Sequence, residues 1–152
     1  LPALTELDID FDAQVASAAA YALGTCEDAC AARSLRVLKL ANRRIAEFAP
    51  PSGERLSVVL AAAMSLHELR LQDCRGLDGG CLAALPRPEL LHTFEWGDGG
   101  VDPHEVTRTI GRFRNLRRLV APGPVPQPAL DWFASNCPWL RTVSWPQGEW
   151  TR

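Results

Sequence analysis

Polar and apolar positions along this chain fall into one short phrase written six times. The phrase is a leucine, two variable residues, an apolar residue, one variable residue, and a further, mostly apolar residue. It occurs as Leu4-x-x-Leu7-x-Ile9, Leu35-x-x-Leu38-x-Leu40, Leu66-x-x-Leu69-x-Leu71, Leu91-x-x-Phe94-x-Trp96, Leu116-x-x-Leu119-x-Ala121 and Leu140-x-x-Val143-x-Trp145. The anchors at 4, 35, 66, 91, 116 and 140 are separated by 31, 31, 25, 25 and 24 residues. Alternation with period two turns successive side chains to opposite faces of a strand, so six strands are predicted, each with one apolar face. Between phrases the pattern becomes helical, over Ala13 to Ala32, Leu56 to Met64, Leu77 to Leu85, Asp102 to Phe113 and Pro128 to Asn136. The fourth of these is the best marked: Asp102 suits a cap, Pro103 a first turn, and Glu105 lies three residues after the cap. Ala46 to Gly53, containing Pro50-Pro51, predicts a loop, while Gly97-Asp98-Gly99-Gly100 and Pro122-Gly123-Pro124 predict turns that leave strands.

Strand followed by helix, repeated, predicts parallel strands joined by right-handed crossovers. The spacing is close to the roughly 20–29 residues of leucine-rich repeats. The third unit, from Leu66 through Cys74 and Cys81 to Leu85, resembles the cysteine-containing repeats of F-box adaptors and of ribonuclease-inhibitor-like proteins. Asn136-Cys137-Pro138-Trp139-Leu140 resembles the Cys-Pro-x-Leu segment that opens a repeat in those proteins, whereas Arg43, Gly99, Pro124 and Gly148 stand where Asn or Cys is usual. The resemblance covers nearly all of the chain. It implies an α/β leucine-rich-repeat solenoid: a curved parallel sheet, with helices on the convex side. Residues 1–152 are expected to form a single domain of five to six repeats, belonging to a longer chain or larger assembly, because no targeting segment precedes Leu1. Stacked repeats bury what one repeat cannot.

Composition narrows the class. The 152 residues are 47% apolar with a net charge of −2, as in an ordinary soluble domain. No apolar run reaches the roughly 18 residues of a membrane helix. Charge is uneven: the first 32 residues carry Glu6, Asp8, Asp10, Asp12, Glu27 and Asp28 without Lys or Arg, while Arg108, Arg112, Arg114, Arg117 and Arg118 crowd a stretch without acids. The near-neutral total argues against a dedicated nucleic-acid binder. Five cysteines cannot all pair within one chain, which favours reduced thiols and an intracellular, cytoplasmic protein.

Catalytic and metal motifs are weak. His67, Cys74 and Cys81 invite a metal reading, but His67 is expected on a strand and the cysteines on the turn and helix side, so convergence on one ion is not expected. His104-Glu105-Val106-Thr107-Arg108 begins like a zinc-protease helix and has Arg108 where the second histidine is required. No phosphate loop, dinucleotide fingerprint or nucleophile elbow occurs. Neither a metal nor another cofactor is expected, and the chain reads as a non-enzyme. Trp96 and Trp145 occupy core positions of their phrases; Trp150 is placed either to cover the last unit or to meet a neighbour.

The second residue of each phrase gives Thr5, Arg36, His67, His92, Arg117 and Arg141, a nearly unbroken basic or titratable column. Arg70 and Glu95 occupy a neighbouring column, and Arg118 follows Arg117. Adjacent strands lie about 4.8 Å apart, so such columns become ladders across a sheet. Arg36, His67, Arg70, His92, Glu95, Arg117, Arg118 and Arg141 are the candidate partner-binding residues, facing a protein with an acidic segment. The resemblance implies a non-catalytic protein–protein interaction module or structural subunit of a larger intracellular complex, binding through the concave sheet face. The alternative it implies is the substrate-recognition portion of an F-box-like ubiquitin ligase adaptor.

Overall fold

A computed structural model describes residues 4–11, 33–42, 52–72, 79–97 and 103–152. In chain order these carry β1 (Glu6–Phe11), β2 (Val37–Asn42), α1 (Ser52–Ala62), β3 (Glu68–Gln72), α2 (Gly79–Ala83), a 3₁₀ turn (Pro88–Leu90), β4 (Thr93–Trp96), α3 (Pro103–Ile110), β5 (Arg118–Val120), α4 (Gln127–Asn136), β6 (Thr142–Trp145) and β7 (Gly148–Thr151). The expected helix over Ala13 to Ala32, the Pro50-Pro51 loop, the Asp102 cap and Cys26, Cys30 and Cys74 lie outside the described residues.

All seven strands form one sheet in the order β1-β2-β3-β4-β5-β6-β7. β1 to β6 pair in parallel and in phase with the six phrases: Leu7 lies beside Leu38, Leu38 beside Leu69, Leu69 beside Phe94, Phe94 beside Leu119, and Leu119 beside Val143. A shift of one residue would turn every one of these side chains to the polar face, which is why the register is held. Leu38, Leu69, Phe94, Leu119 and Val143 are all fully buried. From the helical layer, Val59, Leu60, Cys81, Leu82, Ile110 and Phe133 pack into the same core. Phe94 meets Phe113 edge to face with ring centroids 5.5 Å apart, joining β4 to the segment after α3.

α4 shows how the sequence sets a helix. Pro126 precedes it in extended conformation and Pro128 falls in its first turn, where a missing N–H costs nothing. Leu130 and Phe133, three residues apart, share the buried face. At the far end the Cys137 N–H donates to Phe133 O, and Pro138 forbids continuation.

The expected leucine-rich-repeat solenoid is not formed. The sheet is mixed, because β7 runs antiparallel to β6, and it is one layer that does not curl into a solenoid. Helices of 11, 5, 8 and 10 residues follow successive strands, so no single strand–helix unit repeats. A solenoid stacks equivalent units with a constant rotation. The phrase Leu-x-x-Leu-x-Leu dictates which face of a strand is buried; it dictates neither curvature nor the length of the next helix. With the repeat architecture goes the resemblance to F-box-adaptor and ribonuclease-inhibitor-like repeats.

β7 arises from a two-residue connection, Pro146-Gln147, between Trp145 and Gly148, which oppose one another across the hairpin. Trp150 opposes Val143 and packs against the core, so of the two roles considered for it the covering one is observed. At the other edge of the sheet, β1 presents the charged side chains of Glu6 and Asp8, which discourage pairing with another strand.

Leu69, fully buried beneath the central strands, tests this arrangement. Leu69→Ala should lower unfolding free energy by about 2–5 kcal/mol. Val58→Ala, at a residue 53% exposed on α1, should stay within about 0.5 kcal/mol of the parent. Denaturant unfolding of the two variants checks the ranking.

Candidate functional site: a basic row at the amino ends of the strands

The residue that precedes or opens each strand is held by a ladder of backbone bonds. Arg36 N donates to Thr5 O at 2.8 Å, His67 N to Arg36 O at 2.8 Å, and His92 N to His67 O at 2.7 Å. Arg117 N then donates to His92 O at 2.8 Å, Arg141 N to Arg117 O at 2.9 Å, and Arg152 N to Arg141 O at 3.0 Å. Immediately before Arg36, His67, His92, Arg117 and Arg141 sit the buried leucines Leu35, Leu66, Leu91, Leu116 and Leu140, which pin the backbone to the core. The structure therefore brings together Arg36, His67, His92, Arg117 and Arg141. Arg152 joins them, and the sequence reading missed it because β7 was not foreseen; the Pro146-Gln147 turn and the inward Trp150 are the signal that places it.

Arg36, Arg117, Arg118 and Arg141 are exposed, and none forms an ion pair among the described residues. His67 Nδ1–H donates to Ser65 O at 2.6 Å, which leaves Nε2 as the acceptor of the neutral ring. The His67 and His92 rings meet edge to face at 5.3 Å. The pKa of His92 is lowered from its ordinary value, first by burial, then by the Arg117 guanidinium and by His67. Positive charge in the row thus opposes further protonation. At the β6–β7 end, Trp139 is 58% exposed beside a groove of about 480 Å³ lined also by Pro138, Arg141, Thr142 and Arg152.

Arg70 and Glu95 are not part of this row. They lie on the polar sheet face, where the expected open concave binding surface is replaced by internal pairing. Lys39 Nζ lies 3.0 Å from Glu6 Oε1 and 3.5 Å from Asp8 Oδ2, and the Glu6 hydrogen bond is the main cause of its raised pKa. Arg70 Nε sits 2.7 Å from Glu68 Oε1, but this N–H, sealed from solvent, is aligned on no acceptor, so the attraction is coulombic. Arg70 Nη1 is 3.7 Å from Glu95 Oε2, and Gln72 Nε2 donates to Glu95 Oε1 at 2.5 Å. The module, scaffold and ligase-adaptor readings that depended on a concave repeat surface are withdrawn with it. Arg118 also lies on this face, between Thr93 and Thr142, and extends the row by one step along β5.

Among the described residues no three His, Cys, Asp or Glu side chains gather where an ion would be held. No described helix is long and apolar enough to cross a membrane. No model of a known protein family matches this chain, and no curated protein matches it.

The lowered pKa of His92 makes stability depend on pH in a defined direction. The unfolded histidine protonates near 6.5 and the folded one at lower pH, so its contribution is complete above about 6.5 and is lost as pH falls through the folded pKa. Arg117→Gln should move the His92 titration midpoint upward in an NMR pH series. His92→Gln should reduce the loss of stability between pH 7 and pH 5, measured by denaturant unfolding.

Proposed function

We propose that this domain recognises an acidic segment of a protein partner along the basic row at the amino ends of its strands, without catalysis. The observation that carries the reading is the backbone-linked sequence Arg36, His67, His92, Arg117, Arg141 and Arg152, in which cationic side chains stand without carboxylate partners among the described residues. Six neighbouring positions at about 4.8 Å span roughly 24 Å, the length of about seven extended residues. Like charges held in one row repel, and an anionic chain laid across them relieves that repulsion while keeping its own carboxylates near water. Trp139, flanked by Arg141 and Arg152, offers an apolar anchor at one end, the residue pairing that dominates binding energy at many interfaces.

Support for a non-catalytic reading comes from the thiols: Cys81 and Cys137 are buried, and desolvation pushes the Cys137 thiol up, away from the nucleophilic thiolate. Cys137 forms no disulfide, which accords with a reducing intracellular compartment.

A fluorescently labelled octaglutamate peptide tests the proposal by anisotropy. It should bind saturably, lose affinity as salt rises, and raise the His92 titration midpoint. The double variant Arg117→Glu and Arg141→Glu should weaken binding by about tenfold or more, equivalent to about 1.4 kcal/mol or more, while leaving the fold intact. Arg108→Glu, on α3, should have a smaller effect. Equal binding by the double variant would refute the role of the row; tighter binding of an eight-nucleotide single-stranded DNA than of the octaglutamate would identify a nucleic acid as its ligand instead.

A further inference from the structure

At the opposite, carboxyl ends of the strands lies a second concavity, of about 470 Å³, whose walls include Gln72, Glu95, Trp96, Ser144, Trp145 and Pro146. Its chemistry is the reverse of the basic row. Glu95 is only 7% exposed, yet it is a carboxylate on a sheet surface, and its neighbours satisfy it incompletely. Gln72 bonds Oε1, while Oε2 accepts no hydrogen bond among the described residues and has only Arg70 at 3.7 Å. That guanidinium is drawn more closely to Glu68, at 2.7 Å. Two carboxylates therefore share one arginine, and the incompletely satisfied Glu95 lines the same cavity as Trp96 and Trp145.

From this arrangement we infer that the cavity binds an organic ammonium group. A cation near the face of an indole is attracted by the ring quadrupole, and burial of one carboxylate beside the aromatic walls strengthens the attraction. Substituted ammonium fits better than a metal ion, because most of the lining is apolar or aromatic and it offers few oxygen ligands. Trp96 is fixed from behind by stacking on Phe94, with centroids 5.7 Å apart and the planes 23° from parallel. Trp145 is fixed by Gly148: a Cβ at that position would meet the indole at 2.8–2.9 Å, so glycine is what allows the ring to lie against the hairpin. The site is thus preorganised by a core phenylalanine on one side and by a missing side chain on the other. Its position also agrees with the tendency of open α/β sheets to bind ligands beyond the carboxyl ends of their strands.

The test uses choline chloride as the cation and 3,3-dimethyl-1-butanol as its neutral isostere. Choline should change tryptophan emission saturably and shift the indole N–H signals of Trp96 and Trp145, and the neutral alcohol should do neither at equal concentration. Glu95→Gln should weaken choline binding by at least about tenfold, and Gly148→Ala should weaken it by displacing Trp145. Should either variant fail to fold, the comparison of choline with its isostere on the parent protein decides. Equal binding of the two compounds, no saturable response to choline, or shifts confined to Trp132, Trp139 and Trp150 would overturn the inference.

Discussion

Parallel registration of the six leucine-led phrases is the constraint on which everything else rests. From the second phrase to the sixth, each places one fully buried leucine just before its strand and a second buried apolar residue three positions later. With both pinned, the residue between them that starts the outward series has no freedom of position. The row from Arg36 to Arg152 is therefore a by-product of core packing, held by the backbone bonds that the core enforces. Removing a buried leucine costs more than removing any row side chain, since a cavity forfeits both transfer energy and contacts. Rigidity of the site follows from stability of the core.

Electrostatics then divides the surface into regions with different roles. Charges on the sheet face pair between neighbouring strands, Glu6 and Asp8 of β1 with Lys39 of β2 and Arg70 of β3 with Glu95 of β4, and exposed pairs such as those of Lys39 contribute about 0–1 kcal/mol each. Their effect is to keep an edge strand and an open sheet face polar, with Lys39 matched by Glu6 and Asp8. The row at the amino ends has the opposite design: arginines recur at β2, β5, β6 and β7 with no acid interposed among the described residues. The pKa of His92 is lowered mainly by burial, and the Arg117 guanidinium adds to that shift. Matching reads as structure, whereas persistent mismatch reads as readiness for a ligand of the other sign.

Much of the strand pattern was legible because burial on one face imposes period two on the sequence, and Leu38, Leu69 and Leu119 obey it. The basic column was legible for the same reason. What was not legible is set by different physics. Curvature depends on how helices of unequal length pack behind the sheet, and the five-residue α2 leaves no mark on the strand phrases. The antiparallel return of β7 depends on a local turn at Pro146-Gln147, so Arg152 was missed and a pure parallel repeat was expected instead. Arg70 looked like a free binding group because sequence shows which face a residue occupies but not whether carboxylates beside it, here Glu68 and Glu95, already engage it.

The two sites share strands, which raises the question of whether filling one changes the other. On β4 the row residue His92 and the cavity residue Trp96 are four positions apart, about 13 Å at the rise of a strand. An anion at one end and a cation at the other would attract by only about 0.3 kcal/mol at that separation in water. At physiological ionic strength the distance exceeds the Debye length of about 8 Å, and the attraction falls further. Electrostatic linkage is therefore too weak to couple the sites. Mechanical linkage is equally limited, because Leu91, just before His92, and Phe94, between His92 and Trp96, are both buried and fix β4 against the core. The same packing that builds both sites makes them independent, so a domain of this size would carry an acidic segment and an ammonium ligand at once without either regulating the other.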